Sequence, residues 1–167
     1  MDFQEQVNKL YEEKEFHPVG AIILYRKTDL GYDYLIIKSA KSSDSWLFPQ
    51  GGVELGEDIE ETLEREISEE LNINFTKDVK DMLYLFYYEE LPAESARADK
   101  RGFTKGKAYF FSMGEYTGNG EFHLQKGEVS DARWVSFDEA VKLLSHDRPE
   151  KARLSITALR HAEQKIN

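Results

Sequence analysis

An α/β fold with a mixed central sheet and helices on its faces is predicted by three observations. Strand-like and helix-like segments alternate along the 167 residues, several neighbouring strands are close enough in sequence to be hairpins, and Asp58–Leu71 switches to a helical period. Hairpins argue against a doubly wound parallel sheet, whose strands need long crossovers.

The elements follow in order. A polar opening, Phe3 to Glu15, is read as a helix. Pro18–Arg26, rich in Val, Ile, Leu and Tyr, is a strand. Thr28-Asp29-Leu30-Gly31 carries turn chemistry, so Tyr32–Lys38 is its antiparallel partner. Ser42–Ser45 is a polar loop, and Pro49 holds Trp46–Phe48 extended up to Gly51-Gly52, read as a glycine loop. In Asp58–Leu71 the residues Ile59, Leu63, Ile67 and Leu71 recur every fourth position and form one apolar stripe. Met82–Glu90 and Phe103–Met113 form a second hairpin across a polar loop from about Leu91 to Gly102. Ala132–Val135 is a short strand and Phe137–Leu144 a short helix. Pro149–Lys165 is a terminal helix, with proline suited to its first turn.

Composition bounds the function. With 22 basic and 32 acidic residues the formal charge is −10, which disfavours a general nucleic-acid coat protein. The chain has no cysteine, which excludes disulfide-linked partners, zinc-thiolate sites, iron–sulfur clusters and thiol nucleophiles, and leaves any metal to oxygen or nitrogen ligands. The longest apolar run, Val19–Tyr25, is far short of the ~20 residues that span a bilayer. Without a visible secretory signal, a cytoplasmic protein with no membrane partner is expected, as one domain over residues 1–167 and a monomer or homodimer.

The densest chemistry lies in Gly51–Ile73. Between Glu54 and Glu70 there are nine acids against one base, Arg65. Like charges at i, i+4 destabilise a helix by a few tenths of a kcal/mol per pair, so the run needs a compensating cation or a well-solvated face. Glu66, Glu69 and Glu70 stand at i, i+3 and i+4 and project from one side, where a hard cation such as Mg²⁺ would find the oxygen ligands it prefers. The alternative is a solvated acidic helix. Against it stand the preceding glycines, the rigid Pro49 and the lone Arg65, which can pair with Glu57.

The spacing Gly51, five residues, Glu57, seven residues, Arg65-Glu66-Ile67-Ser68-Glu69-Glu70-Leu71-Asn72-Ile73 resembles the Nudix box, G-x5-E-x7-R-E-U-x-E-E-x-G-U. Eight of nine defined positions agree. The departure is Asn72 for glycine, at a helix C-cap where asparagine tolerates left-handed geometry. The resemblance implies an α/β/α sandwich and Mg²⁺- or Mn²⁺-dependent hydrolysis of a nucleoside diphosphate linked to another moiety. It makes Glu66, Glu69 and Glu70 metal ligands together with the Gly51 carbonyl, and Glu57 and Arg65 an orienting pair. Glu69 or a later acid would be the base.

The flanks narrow the resemblance. Trp46–Glu54 is similar to the stretch before the box in asymmetric diadenosine tetraphosphate hydrolases and bacterial RNA pyrophosphohydrolases. Glu128, five residues before Arg133-Trp134, resembles their active-site glutamate, a metal ligand or base. Trp134 itself is expected in the core. Lys105-Gly106-Lys107-Ala108-Tyr109 is similar to the Lys-x-x-x-Tyr stretch of the first group and implies that Lys105 and Tyr109 meet polyphosphate. Lys107 adds to this basic segment, Arg97–Lys107, which has five bases and one acid. Lys38 is a further phosphate candidate. Tyr84, Phe86, Tyr87, Tyr88 and Phe103 are possible stacking platforms. His17, His123, His146 and His161 show no ligand spacing and are expected at the surface or in packing. The implied reaction is cleavage of diadenosine tetraphosphate to ATP and AMP. Alternatives are an RNA 5′-pyrophosphohydrolase, a (d)NTP or nucleotide-sugar pyrophosphatase, and a non-catalytic nucleotide-sensing module.

Overall fold

The computed structural model describes residues 2–41, 45–92 and 101–167, except the side chains of 86–88. The basic positions Arg97 and Lys100, most of the loop at 42–45 and the rings of Phe86, Tyr87 and Tyr88 therefore lie outside the described part.

Strand β1 (Phe16–Thr28) is the axis of the molecule. It turns back into β2 (Gly31–Ser39), pairing Tyr25 with Tyr34 and Thr28 with Gly31. β2 continues outward to β3 (Trp46–Leu47) and also pairs with β7 (Val129–Val135). On its other edge β1 runs parallel to β6 (Gly106–Tyr116), which pairs antiparallel with β5 (Val79–Pro92). One parallel pair among antiparallel ones makes the sheet mixed, as predicted.

Gly51-Gly52 is a strand rather than a loop. β4 (Gln50–Gly52) pairs antiparallel with β1, Gly20 opposite Gly51 and Ala21 opposite Gln50. Glycine has low intrinsic preference for strands, so partner backbone rather than local sequence makes this element. β7 begins at Val129 and not Ala132, and β6 at Gly106 and not Phe103. Phe103 is buried instead, stacked on His17 at 4.6 Å and edge-on to Tyr11.

Alternation along β1 sends Ile22 and Leu24 to one face and Val19, Ala21 and Ile23 to the other. The first face is covered by α1 (Phe3–Glu13) and α2 (Ile59–Leu71). All four residues of the predicted α2 stripe are buried there, each contributing about 1.5–3 kcal/mol relative to exposure. A single turn, α3 (Phe75–Asp78), precedes β5. The second face is covered by α4 (Phe137–Leu144) and α5 (Pro149–Ile166), through Leu144, Leu154, Ala158 and Leu159. The result is an α/β/α sandwich.

α2 is closed at both ends by its own sequence. Asp58 accepts from the Glu61 amide while Glu61 reaches back to the Asp58 amide, a capping box. Asn72 sits at φ 56°, ψ 36° in the left-handed cap, its amide donating to the Ser68 carbonyl at 3.0 Å. The asparagine that departs from the box pattern keeps the geometry glycine would supply.

Candidate functional site

The carboxylates of α2 reach the sheet because β4 has no side chain in their way. A Cβ on Gly51 would lie 2.1 Å from Glu66 Cδ, and one on Gly52 would lie 2.4 Å from His17 Cε1. Only glycine lets helix and histidine close on this strand from its two sides. The tract between β4 and α2 is then tied down at Val53, whose amide donates to the Pro18 carbonyl at 2.9 Å and whose own carbonyl accepts from the Tyr11 hydroxyl.

Arg65 is the hub beside it. Its Nε and Nη2 donate to the two oxygens of Glu57 at 2.9 and 3.0 Å, its Nη2 also to the Gly52 carbonyl at 3.0 Å, and its Nη1 to Glu66 Oε1 at 2.7 Å. Glu57 also accepts from the Glu54 amide and the Thr62 hydroxyl. The guanidinium, with these donors, holds the Glu57 carboxyl below the usual carboxylate range, and Glu57 in return raises Arg65 further. Strand β4, the following tract and α2 are thus joined through one side chain.

Glu66 and Glu70 lie one turn apart in a cleft of about 380 Å³, lined also by His17, Ser39, Lys41, Gln50, Gly51, Gly52, Arg101, Lys107 and Glu128. Burial pushes both carboxyls up. Glu70 rises to about 9, by desolvation first and then by the neighbouring charges of Glu66, Glu128 and Glu69. Glu70 Oε2 is buried without a hydrogen-bond partner. An orphaned carboxylate oxygen beside a second, partly buried carboxylate is an arrangement that a divalent cation would satisfy. Among the described residues, no three acidic or histidine side chains form a complete ligand set. The reason lies in their present partners. Glu128 pairs with Lys41 at 3.0 Å, Glu66 with Arg65, and the half-exposed Glu69 leans toward Arg65 at 3.8 Å.

Glu128 is brought to the cleft by backbone. The amides of His123 and Gln125 donate to the Leu71 and Glu70 carbonyls at the end of α2, and the Glu128 amide donates to Gln125. The stretch before β7 is therefore clamped to the helix that carries the other carboxylates.

Of the proposed phosphate ligands, Lys107 lines the cleft. Lys105 pairs with Glu15 at 3.2 Å, away from it. Lys38 stands over the Trp46 ring at 5.7 Å, because β2–β3 register sets the two residues opposite each other. Tyr109 is buried on the α4/α5 face, next to Gln50, with its hydroxyl pushed up to about 12 by burial. Trp134 packs partly buried against the core beneath Arg26. Sequence reasoning did not name Lys41 or Gln50 as cleft residues; His17, expected at the surface or in packing, is packed against Phe103 and also lines the cleft. What marks all three is tertiary: they come from three separate segments that meet only once β4 pairs with β1.

The NUDIX domain profile matches residues 16–156. The chain is 28% identical over 134 residues to an RNA pyrophosphohydrolase of Wolbachia pipientis, covering 78% of this chain and 80% of that one. A solved NUDIX hydrolase structure from Listeria monocytogenes superposes with a TM-score of 0.69 at 26% identity, over 88% and 92% of the two chains. An Ap4A hydrolase from C. elegans superposes with a TM-score of 0.64 at 21% identity, over 89% and 96%, and shares the fold.

Proposed function

We propose that this chain, which belongs to the NUDIX family, cleaves a dinucleoside tetraphosphate asymmetrically into nucleoside triphosphate and monophosphate. It is a hydrolase of phosphoric anhydride bonds that acts on nucleoside polyphosphates. The observation that carries the finer assignment is the mixed lining of the cleft, where Glu66, Glu70 and Glu128 share the walls with Lys41, Arg101 and Lys107, Lys41 paired with Glu128 at 3.0 Å and Arg101 with Glu54 at 2.7 Å, in a protein of net charge −10. Local cations beside an acidic cluster suit a compact polyanion better than an extended nucleic-acid backbone, which needs a path of bases.

Glu66, Glu70, Glu69, Glu128 and the Gly51 carbonyl would hold Mg²⁺ or Mn²⁺, which when bound neutralises phosphate charge and acidifies water. The chain's own residues do the rest. Arg65 fixes the rotamers of Glu57 and Glu66. Lys41, Arg101 and Lys107 bind phosphate oxygens. Glu128, which lines the cleft where Glu69 does not, takes the proton of the attacking water.

The second assignment, release of pyrophosphate or phosphate from a 5′-triphosphorylated RNA, is favoured by the name of the Wolbachia relative. Product analysis with Mg²⁺ separates the two. ATP plus AMP from diadenosine tetraphosphate, with little pyrophosphate from RNA, supports the first, and the reverse preference replaces it with the second.

The two lysines of the basic segment are expected to differ. Lys107→Gln should raise KM about tenfold, the scale of one lost charge-assisted hydrogen bond, while Lys105→Gln should stay within about twofold. Steady-state kinetics of both variants checks this, and equal effects would remove Lys107 from the site.

A further inference from the structure

A second cavity, also of about 380 Å³, lies at the other end of β2 from the cleft and shares no lining residue with it. Three segments build it: the β1–β2 turn running into Tyr32 and Tyr34, the start of α4 with Phe137 and Asp138, and the last turn of α5 with Glu163. Strand register brings the first two together. Tyr34 stands opposite Val135, two residues before α4 begins, and its ring meets Phe137 edge-on at 6.4 Å.

The charged side chains of the lining are Asp138 and Glu163, and no base stands among its described residues, where the cleft has Lys41, Arg101 and Lys107. Among the described residues neither carboxylate has an ion-pair or hydrogen-bond partner. A third polar group is free as well. Tyr34 is only 2% exposed, yet its hydroxyl has no hydrogen-bond partner among the described residues. The first charge that it feels is that of Glu163, a residue of the same cavity. Burial, and then Glu163, pushes the hydroxyl up to about 12, so it stays a neutral phenol whose oxygen can accept.

Carboxylates select a cation, and the rings select an organic one. The face of a tyrosine or phenylalanine attracts an ammonium and covers the methylenes attached to it, and the fully exposed Leu30 extends that apolar rim. A hard metal ion would keep its waters and gain nothing from the rings. The α4 N-terminus, which would repel a cation, is offset by Asp138 and Glu139 in its first turn. The volume falls within the roughly 300–1,000 Å³ of small-molecule sites, so the cavity takes a whole molecule rather than the tip of one side chain.

We propose that this cavity binds a linear alkyl polyamine, with one ammonium held by Glu163 and the Tyr34 oxygen, a second by Asp138, and the methylenes between them laid on Tyr32 and Phe137. The site is separate from the cleft and does not depend on the reaction assigned there.

The test is calorimetric titration of the full chain with spermidine in excess Mg²⁺, which competes for bare carboxylates. Glu163→Gln should weaken binding about tenfold, and Tyr34→Phe, which keeps the ring and removes the hydroxyl, about fivefold. Glu139→Gln removes the same charge from α4 outside the cavity and should bind as the parent does. So should Glu70→Gln, the variant in which a polyamine seated in the acidic cleft would be lost instead. Tyr34→Phe should also melt no lower than the parent, because a buried hydroxyl without a partner adds nothing to the fold, where a hydroxyl kept for structure would be missed.

No heat from the parent at millimolar spermidine, an equal loss in Glu139→Gln, a loss in Glu70→Gln, or displacement by Mg²⁺ would each overturn the proposal. A capped Gly-Arg-Gly peptide reads the other source of such a cation. If the peptide binds in a Glu163-dependent way and spermidine does not, the polyamine assignment is wrong and a basic segment of a protein takes its place.

Discussion

Glu70→Gln is expected to lower kcat by about 10²–10³-fold, the usual cost of removing one electrostatic stabiliser from a water-poor site. The same variant should make the metal-free protein more stable in alkaline solution. Burial and the charge of Glu66 raise the folded-state value of Glu70 to about 9, above its value in the unfolded chain. A carboxyl raised by folding is no burden at low pH, where both states hold the proton. As pH rises, the unfolded chain releases it first and stability falls, the loss being complete only above the folded value. Melting curves in EDTA from pH 5 to pH 9 should therefore decline for the parent and be flatter for Glu70→Gln. Adding Mg²⁺ should restore the parent at high pH and do little for the variant. Unchanged turnover together with an unchanged pH profile would remove Glu70 from the site.

Arg65→Ala is expected to cost about 2–4 kcal/mol, less than the 3–5 of a fully buried pair because Arg65 keeps some exposure. For a chain of this size that is a fall of roughly 5–15 °C in melting temperature. It strips donors from Glu57, the Gly52 carbonyl and Glu66 at once. Arg65→Lys should recover little of this, since a single ammonium cannot span both Glu57 oxygens and the Gly52 carbonyl. Thermal unfolding of both variants decides. A loss confined to activity, with melting unchanged, would mean that the guanidinium serves substrate and not the β4–α2 tract.

How much of this could be seen in the sequence depended on whether a feature was local. α2 was legible because its stripe and its cap residues lie within one stretch, and Asn72 could be judged from cap geometry alone. The Glu57–Arg65 pair was legible for the same reason. β4 was not, since two glycines have no strand preference and the pairing comes from β1. Lys38 and Lys105 looked like phosphate ligands by position, yet cross-strand register gives one to Trp46 and an ion pair gives the other to Glu15. Lys151 resembled any solvated helix lysine. Its burial follows only from α5 lying over Tyr109, a contact between distant segments.

The parallel pairing of β1 with β6 bears on how the chain is made. Phe16 meets Gly106, and the register runs on to Tyr25 with Glu115. At synthesis rates of about 5–20 residues per second, β1, β2 and the acidic helix leave the ribosome several seconds before the strand that completes the sheet. Until then one edge of the most apolar strand has no partner and invites pairing with another nascent chain. The long sequence separation of the β1–β6 pairing also slows refolding in vitro. A truncation that keeps the whole glutamate-rich segment but stops before Gly106 should collect as aggregate, although Gly51, Glu66, Glu69 and Glu70 are already in the fragment.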